Sequence, residues 1–145
     1  MSKSENSEIL KYILKRLIDI SSRKTSYGNA VTTMNNSVNN LKEKYDFLKH
    51  VEIKNTQFSE SDNSINIMSD INKIESNEMG KALYAIIKTM NKSLGKNAGH
   101  FFIKELRSGM DEDYHTMISD MGIDLSLLQL EFEVEELEKK LKDNK

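Results

Sequence analysis

Apolar residues recur every three or four positions along most of this chain, and this spacing constrains its fold more than any other feature. Such positions lie on one face of an α-helix, whereas a half-buried strand would need alternation. The chain of 145 residues contains no proline, so no ring interrupts a long helix. Two stripes stand out: Val31, Met34, Val38, Leu41, Tyr45 and Leu48, and then Ile123, Leu127, Leu130, Val134, Leu137 and Leu141. The sequence therefore predicts a mainly α fold, a helical bundle with heptad-patterned N- and C-terminal helices.

The first stripe also extends backwards, in unchanged phase, through Leu17 to Leu10. Residues 8–50 therefore fit one helix of roughly 65 Å, or a hairpin with a turn at 26–29. Gly28 and Asn29 suit a turn because both tolerate the left-handed region. We favour the hairpin or a strong kink, since indifferent helix formers cluster just before this point and ordinary helices are shorter.

The rest of the chain divides into two segments. Apolar and polar residues alternate at 51–54 and again at 65–67, which predicts a short β-hairpin or an ordered loop around 51–71. From Ser76 the helical spacing returns and continues to 142, with Gly122 as a helix stop and Asp124 as a cap. We expect one helical domain over 1–145, made of 8–50, a hairpin or loop at 51–75 and a helical segment at 76–142.

The stretch SLGKNAGHFF at 93–102 contains a Gly-Lys pair but no phosphate-binding loop. A P-loop needs a glycine five positions before Gly95 and Ser or Thr after the lysine, and the sequence has Met90 and Asn97 there. We favour a joint, in which Gly95 ends one helix and Asn97 caps the next, over one continuous helix through 79–108. Lys96 and His100 are the candidates for binding an anion or cofactor, and no specific cofactor is indicated.

Signs of catalysis or metal binding are few. There is no cysteine, and no serine lies in a nucleophile-elbow motif. Glu112 and His115 form one Glu-x-x-His unit, whereas a di-iron bundle uses two such units with two further glutamates. They are the candidate metal ligands, but we predict no metal, no cofactor and no enzymatic activity.

Charge is unevenly distributed behind a net charge of −2. Residues 1–54 carry ten basic and six acidic side chains, and residues 79–110 carry six basic and one acidic side chain. Residues 111–138 carry ten acidic side chains and no lysine or arginine. A segment with an excess of one charge favours contact with a segment of the opposite charge, within one subunit or between two subunits. The acidic balance and the lack of a recognition motif argue against nucleic acid as a partner. No segment is typical of a signal peptide or membrane span, so we expect a cytoplasmic protein.

These observations predict a non-enzymatic interaction or regulatory protein that self-associates, with a dimer favoured and another helical protein as a further possible partner. The residues expected to form the interface or the core are Leu10, Leu17, Val31, Val38, Leu41, Leu130, Val134, Leu137 and Leu141. The alternative is a small-molecule-binding or sensory bundle with a pocket near 95–115. That pocket would lie between 79–94 and 98–108, with Lys96, His100 and His115 at its mouth.

Overall fold

The computed structural model describes residues 5–54, 65–99 and 102–143, and the side chains within these ranges except those of 95–99 and 143. Six α-helices and a two-stranded sheet lie in this part of the chain, which confirms the predicted mainly α bundle with a short hairpin. The elements are α1 (Asn6–Lys24), α2 (Tyr27–Leu41), β1 (Val51–Ile53), β2 (Ile65–Ile67), α3 (Ser76–Gly99), α4 (Phe102–Ser108), α5 (Glu112–Asp120) and α6 (Leu125–Asp143). None of these helices is long and apolar enough to cross a bilayer.

Helix α1 lies at the centre of the bundle and contacts α2, α3, α4, α5 and β2. Its apolar side chains extend around most of the helix, and five of them are completely buried: Leu10, Ile13, Leu14, Leu17 and Ile20. A helix with so wide an apolar surface must be covered on several sides. The core therefore forms around α1.

Residues 8–50 contain two helices that pack against each other, separated at Thr25–Ser26. The Ser26 side chain accepts a hydrogen bond from the backbone N–H of Asn29 and so caps α2. Gly28 and Asn29, which the sequence placed in the turn, instead lie in the first turn of α2. The first backbone N–H groups of a helix have no partner within the helix, and the Ser26 side chain supplies one. The break between α1 and α2 therefore lies just before Tyr27 and not at Gly28 and Asn29.

The strands β1 and β2 pair antiparallel, with Val51 opposite Ile67 and Ile53 opposite Ile65. Val51, Ile53 and Ile65 are buried, while Glu52 is exposed. Two strands alone are only marginally stable, and here they pack on α1 and α2. The SESDNS stretch between them lies outside the described residues.

The joint predicted within 93–102 is displaced from its expected position. Helix α3 continues through Gly95 and Asn97 to Gly99, and α4 begins at Phe102. Gly95 therefore does not end a helix and Asn97 does not begin one. A glycine inside a helix costs only about 1 kcal/mol relative to alanine, so it does not force a helix to end.

The predicted roles of Gly122 as a helix stop and Asp124 as a helix cap are both confirmed at the corner between α5 and α6. Gly122 adopts a φ of 95°, and its N–H donates to the Ser119 carbonyl while the Ile123 N–H donates to that of Ile118. This pair of bonds is a Schellman motif. Asp124 then accepts a hydrogen bond from the Leu127 N–H at 3.1 Å and caps α6, as predicted.

Candidate functional site

Helix α6 is apolar on two opposite faces. Its inner face, formed by Leu125, Leu128 and Phe132, is buried against the rest of the chain. A second apolar stripe is centred roughly half a turn of the helix away. A single helix that packs on its own bundle needs only one such face, so the second face requires a separate explanation.

The second stripe is exposed along its whole length. It consists of Leu127, Leu130, Val134, Leu137 and Leu141, which we call the outer stripe, and the exposed fractions run from 47% at Val134 to 60% at Leu141. In the part of the chain that the structure describes, the other large exposed apolar side chain is Met68. Single exposed leucines are ordinary, but five in line along one helix are typical of an interaction surface.

Two polar contacts join α3 to α6 beside the outer stripe. The hydroxyl of Tyr84 donates a hydrogen bond to the Glu131 carboxylate. Lys92 Nζ lies 3.9 Å from a carboxylate oxygen of Glu135, at the limit of an ion pair. Burial, followed by the hydrogen bond and the charge of Glu131, raises the pKa of Tyr84 to about 12. Tyr84 therefore stays protonated at neutral pH and remains a donor.

A shallow groove runs beside the outer stripe. It has a volume of about 390 Å³ and is lined by Leu127, Leu130 and Val134, with Lys88 of α3 on one side and Glu138 among the acids of α6. The floor is apolar and the edges are charged. This combination suits an amphipathic helix laid along α6.

Acidic and basic residues occupy different parts of α6. Glutamates occupy positions 131, 133, 135, 136 and 138, and lysines occupy 139, 140 and 142. All three lysines are exposed, as are Glu133 and Glu138. The helix therefore has an acidic middle and a basic C-terminal end. By helical spacing Glu133, Glu138 and Lys140 flank the outer stripe, whereas Lys139 lies on the opposite side of the helix.

The other residues predicted for an interface lie in the core. Leu10, Leu17, Val31 and Val38 are between 0% and 5% exposed, and Leu41 packs partly buried on the same core. The heptad spacing of the first two helices therefore serves packing within one chain. Leu130, Val134, Leu137 and Leu141 remain available for contact with another molecule.

Two basic residues of α1 bind α4 rather than the acidic 111–138 block. Arg16 Nη2 donates to the carbonyls of Glu105 and Leu106, at 3.1 and 3.4 Å, near the negative end of that helix. Lys24 Nζ lies 2.9 Å from Glu105 Oε1. Because these cations are engaged within the chain, α1 does not present them as a stripe for nucleic acid.

Glu112 and His115 lie together on α5 and line an open cleft between α4 and α5. The cleft has a volume of about 570 Å³, and its other lining residues are Lys104, Arg107, Ser108, Met110 and Thr116. It is not the expected pocket between α3 and α4. Lys96 lies in α3 with its side chain outside the described set, and His100 is outside the described residues.

The described side chains form no group of three or more histidine, aspartate or glutamate residues able to hold a metal ion. Glu112 and His115 therefore have no third ligand among those residues. Reasoning from the sequence missed Lys104 and Arg107 as residues that line the same cleft as His115. Their spacing of three residues on α4 was visible, but the placement of α5 beside α4 was not.

Comparison of the chain with protein-family models, with curated proteins and with solved structures found no match.

Proposed function

We propose that this chain is a non-enzymatic helical interaction protein that self-associates through the outer stripe of α6. The observation that carries the proposal is the exposure of the five apolar side chains of the stripe on a helix whose opposite face is already buried. Covering such a stripe with a second apolar helix would remove that surface from water, at about 25 cal/mol for each Å².

The size of the stripe sets an expectation for its affinity. Helix α6 has 19 residues and is about 28 Å long. A stable protein interface buries about 1,600 Å² in total, and a contact limited to one pair of such helices falls below that area. We therefore expect a dimer whose population depends on protein concentration. Because α6 already folds on its own bundle, association would carry no added cost of forming the helix.

The test is sedimentation velocity on the double variant Leu130→Ser/Leu137→Ser beside the unmodified chain. Both positions are exposed, so the variant should fold normally but sediment as a monomer at concentrations where the unmodified chain is a dimer. The matched control is Lys139→Ser, which changes an exposed residue of α6 outside the stripe and should leave most of the dimer intact. Equal association by the double variant and the unmodified chain would contradict the proposal.

A second candidate function is the binding of a small anion in the cleft between α4 and α5. The observation in its favour is that Lys104, Arg107 and His115 line one open cleft, since cationic donors form strong hydrogen bonds with phosphate or carboxylate. An NMR titration with inorganic phosphate tests it. Resonances of His115 should shift while those of His50, which lies beside β1, stay fixed. Equal behaviour of the two histidines would eliminate this candidate.

A further inference from the structure

We infer that the partner of α6 is the α6 helix of a second copy, arranged antiparallel. This inference rests on the proposed function and adds the identity of the partner and its direction. It is carried by the distribution of charge beside the outer stripe, which brings opposite charges together on one flank only when one of the two helices is reversed.

The outer stripe has two flanks, each set by helical spacing. Glu133 and Lys140 are seven residues apart and lie on one flank, and Glu131 and Glu138 lie on the other. One flank thus carries both signs of charge, whereas the other is wholly acidic. Glu131 accepts a hydrogen bond from the Tyr84 hydroxyl, and Glu133 accepts one from the Gln129 side chain at 2.9 Å. Both carboxylates keep their charge, so a partner would meet all four of these side chains.

In a parallel pair, the two flanks face each other in register. Glu133 of one chain would then lie beside Glu138 of the other, on both sides of the interface. Like charges in such positions destabilise a helix pair, so the parallel arrangement is disfavoured.

In an antiparallel pair, each flank meets its own copy in the reverse direction. With Val134 opposite Leu137 of the second copy, Leu130 lies opposite Leu141, and the apolar residues form four continuous layers. In this register Glu133 lies beside Lys140 of the second copy, and the pair occurs twice by symmetry. On this flank opposite charges are matched across the contact. On the other flank Glu131 and Glu138 meet acids of the second copy. The reversed pair thus has matched charges on one flank, whereas the parallel pair has like charges on both.

The absence of cysteine from the chain permits a direct test. The exposed residues Glu133, Glu138 and Lys140 are replaced one at a time, as Glu133→Cys, Glu138→Cys and Lys140→Cys, so that each variant has a single thiol. Two variants carrying tags of different length are mixed, allowed to exchange and oxidised mildly. The disulfide-linked heterodimer is then read on a non-reducing gel.

The mixture of the 133 and 140 variants should give far more linked heterodimer than the mixture of the 133 and 138 variants. The reverse result would overturn the antiparallel arrangement while leaving self-association through α6 intact. Weak linking in both mixtures would also overturn the inference. Sedimentation of the same variants under reducing conditions then separates the two failures, since a monomer contradicts the proposed function as well.

Discussion

The Tyr84 hydroxyl on α3 donates a hydrogen bond to the Glu131 carboxylate on α6. In the sequence, Glu131 lies between Leu130 of the outer stripe and Phe132 of the buried inner face. This bond therefore lies between the two apolar faces of α6 and, together with the burial of Phe132, favours the observed rotation of the helix about its own axis.

Replacing Tyr84 with phenylalanine should loosen α6. The ring remains, but the partly buried Glu131 carboxylate loses a donor, and a hydrogen bond to a charged group contributes about 1.5–3 kcal/mol. We expect the free energy of unfolding from urea denaturation to fall by that amount. The control is Glu131→Gln, which keeps an acceptor for the hydroxyl and should cost less. If the Tyr84→Phe variant and the unmodified chain had the same free energy of unfolding, the hydrogen bond between Tyr84 and Glu131 would not stabilise the packing of α6.

The same tyrosine makes stability depend on alkaline pH. Because its pKa is raised from 10.0 to about 12, the folded chain holds this proton more tightly than the unfolded chain does. The contribution to stability is fully present below pH 10 and is lost as the pH rises through about 12. Phenolate absorbance should show a late titration step near that pH.

That late step should disappear in Tyr84→Phe. Tyr114 serves as an internal reference, because burial chiefly raises its pKa too and it is present in both proteins. If the Tyr84→Phe variant titrated with an unchanged step near pH 12, the assignment of that step to Tyr84 would be wrong.

The two faces of α6 should respond differently to truncation. Leu128 is 2% exposed and Leu130 is 55% exposed. Leu128→Ala leaves a cavity in the core and should lower the free energy of unfolding by about 2–5 kcal/mol. Leu130→Ala should change it by less than about 0.5 kcal/mol when measured on dilute protein. Comparable losses would mean that both faces are buried in one chain.

Gly80 permits α3 to approach the corner after α5. A Cβ at this position would fall on the backbone carbonyl of Met121. Alanine ordinarily stabilises a helix by about 1 kcal/mol relative to glycine, but we expect Gly80→Ala to destabilise the fold by about 1–3 kcal/mol. The comparison is Gly109→Ala, where the new Cβ would meet the end of the Arg16 side chain rather than backbone. That side chain can shift at the cost of its hydrogen bonds to α4, so we expect a smaller loss. Thermal unfolding measures both, and a Gly80→Ala chain more stable than the unmodified one would contradict the close approach.

The sequence was sufficient to predict the helices of this chain but not the direction in which each apolar stripe faces. The stripes that include Val31 and Leu130 have the same spacing, yet one is buried and the other exposed. A signal was present in α6, since Leu125, Leu128 and Phe132 form a second apolar set outside the stripe. Two apolar faces on one helix indicate either burial on both sides, as for α1, or one face open to a partner, and only the packing of the whole chain distinguishes the two.

Contacts between distant parts of the chain were also beyond sequence reasoning. The N-cap residue of α1, Glu5, makes no side-chain capping bond, and the Asn72 side chain instead accepts a hydrogen bond from the Ser7 N–H at 2.8 Å. Asn6 in turn donates to the carbonyls of Ile71 and Ile74. Capping rules consider only neighbouring residues, so they cannot identify a cap supplied from more than sixty positions away.

The central claim is that the outer stripe of α6 binds a second copy of the chain. Its most direct test is the molar mass of the unmodified protein by light scattering across a concentration series. We predict a mass that rises from that of one chain towards that of two as the concentration increases. A mass that stays at one chain throughout the series would contradict the claim.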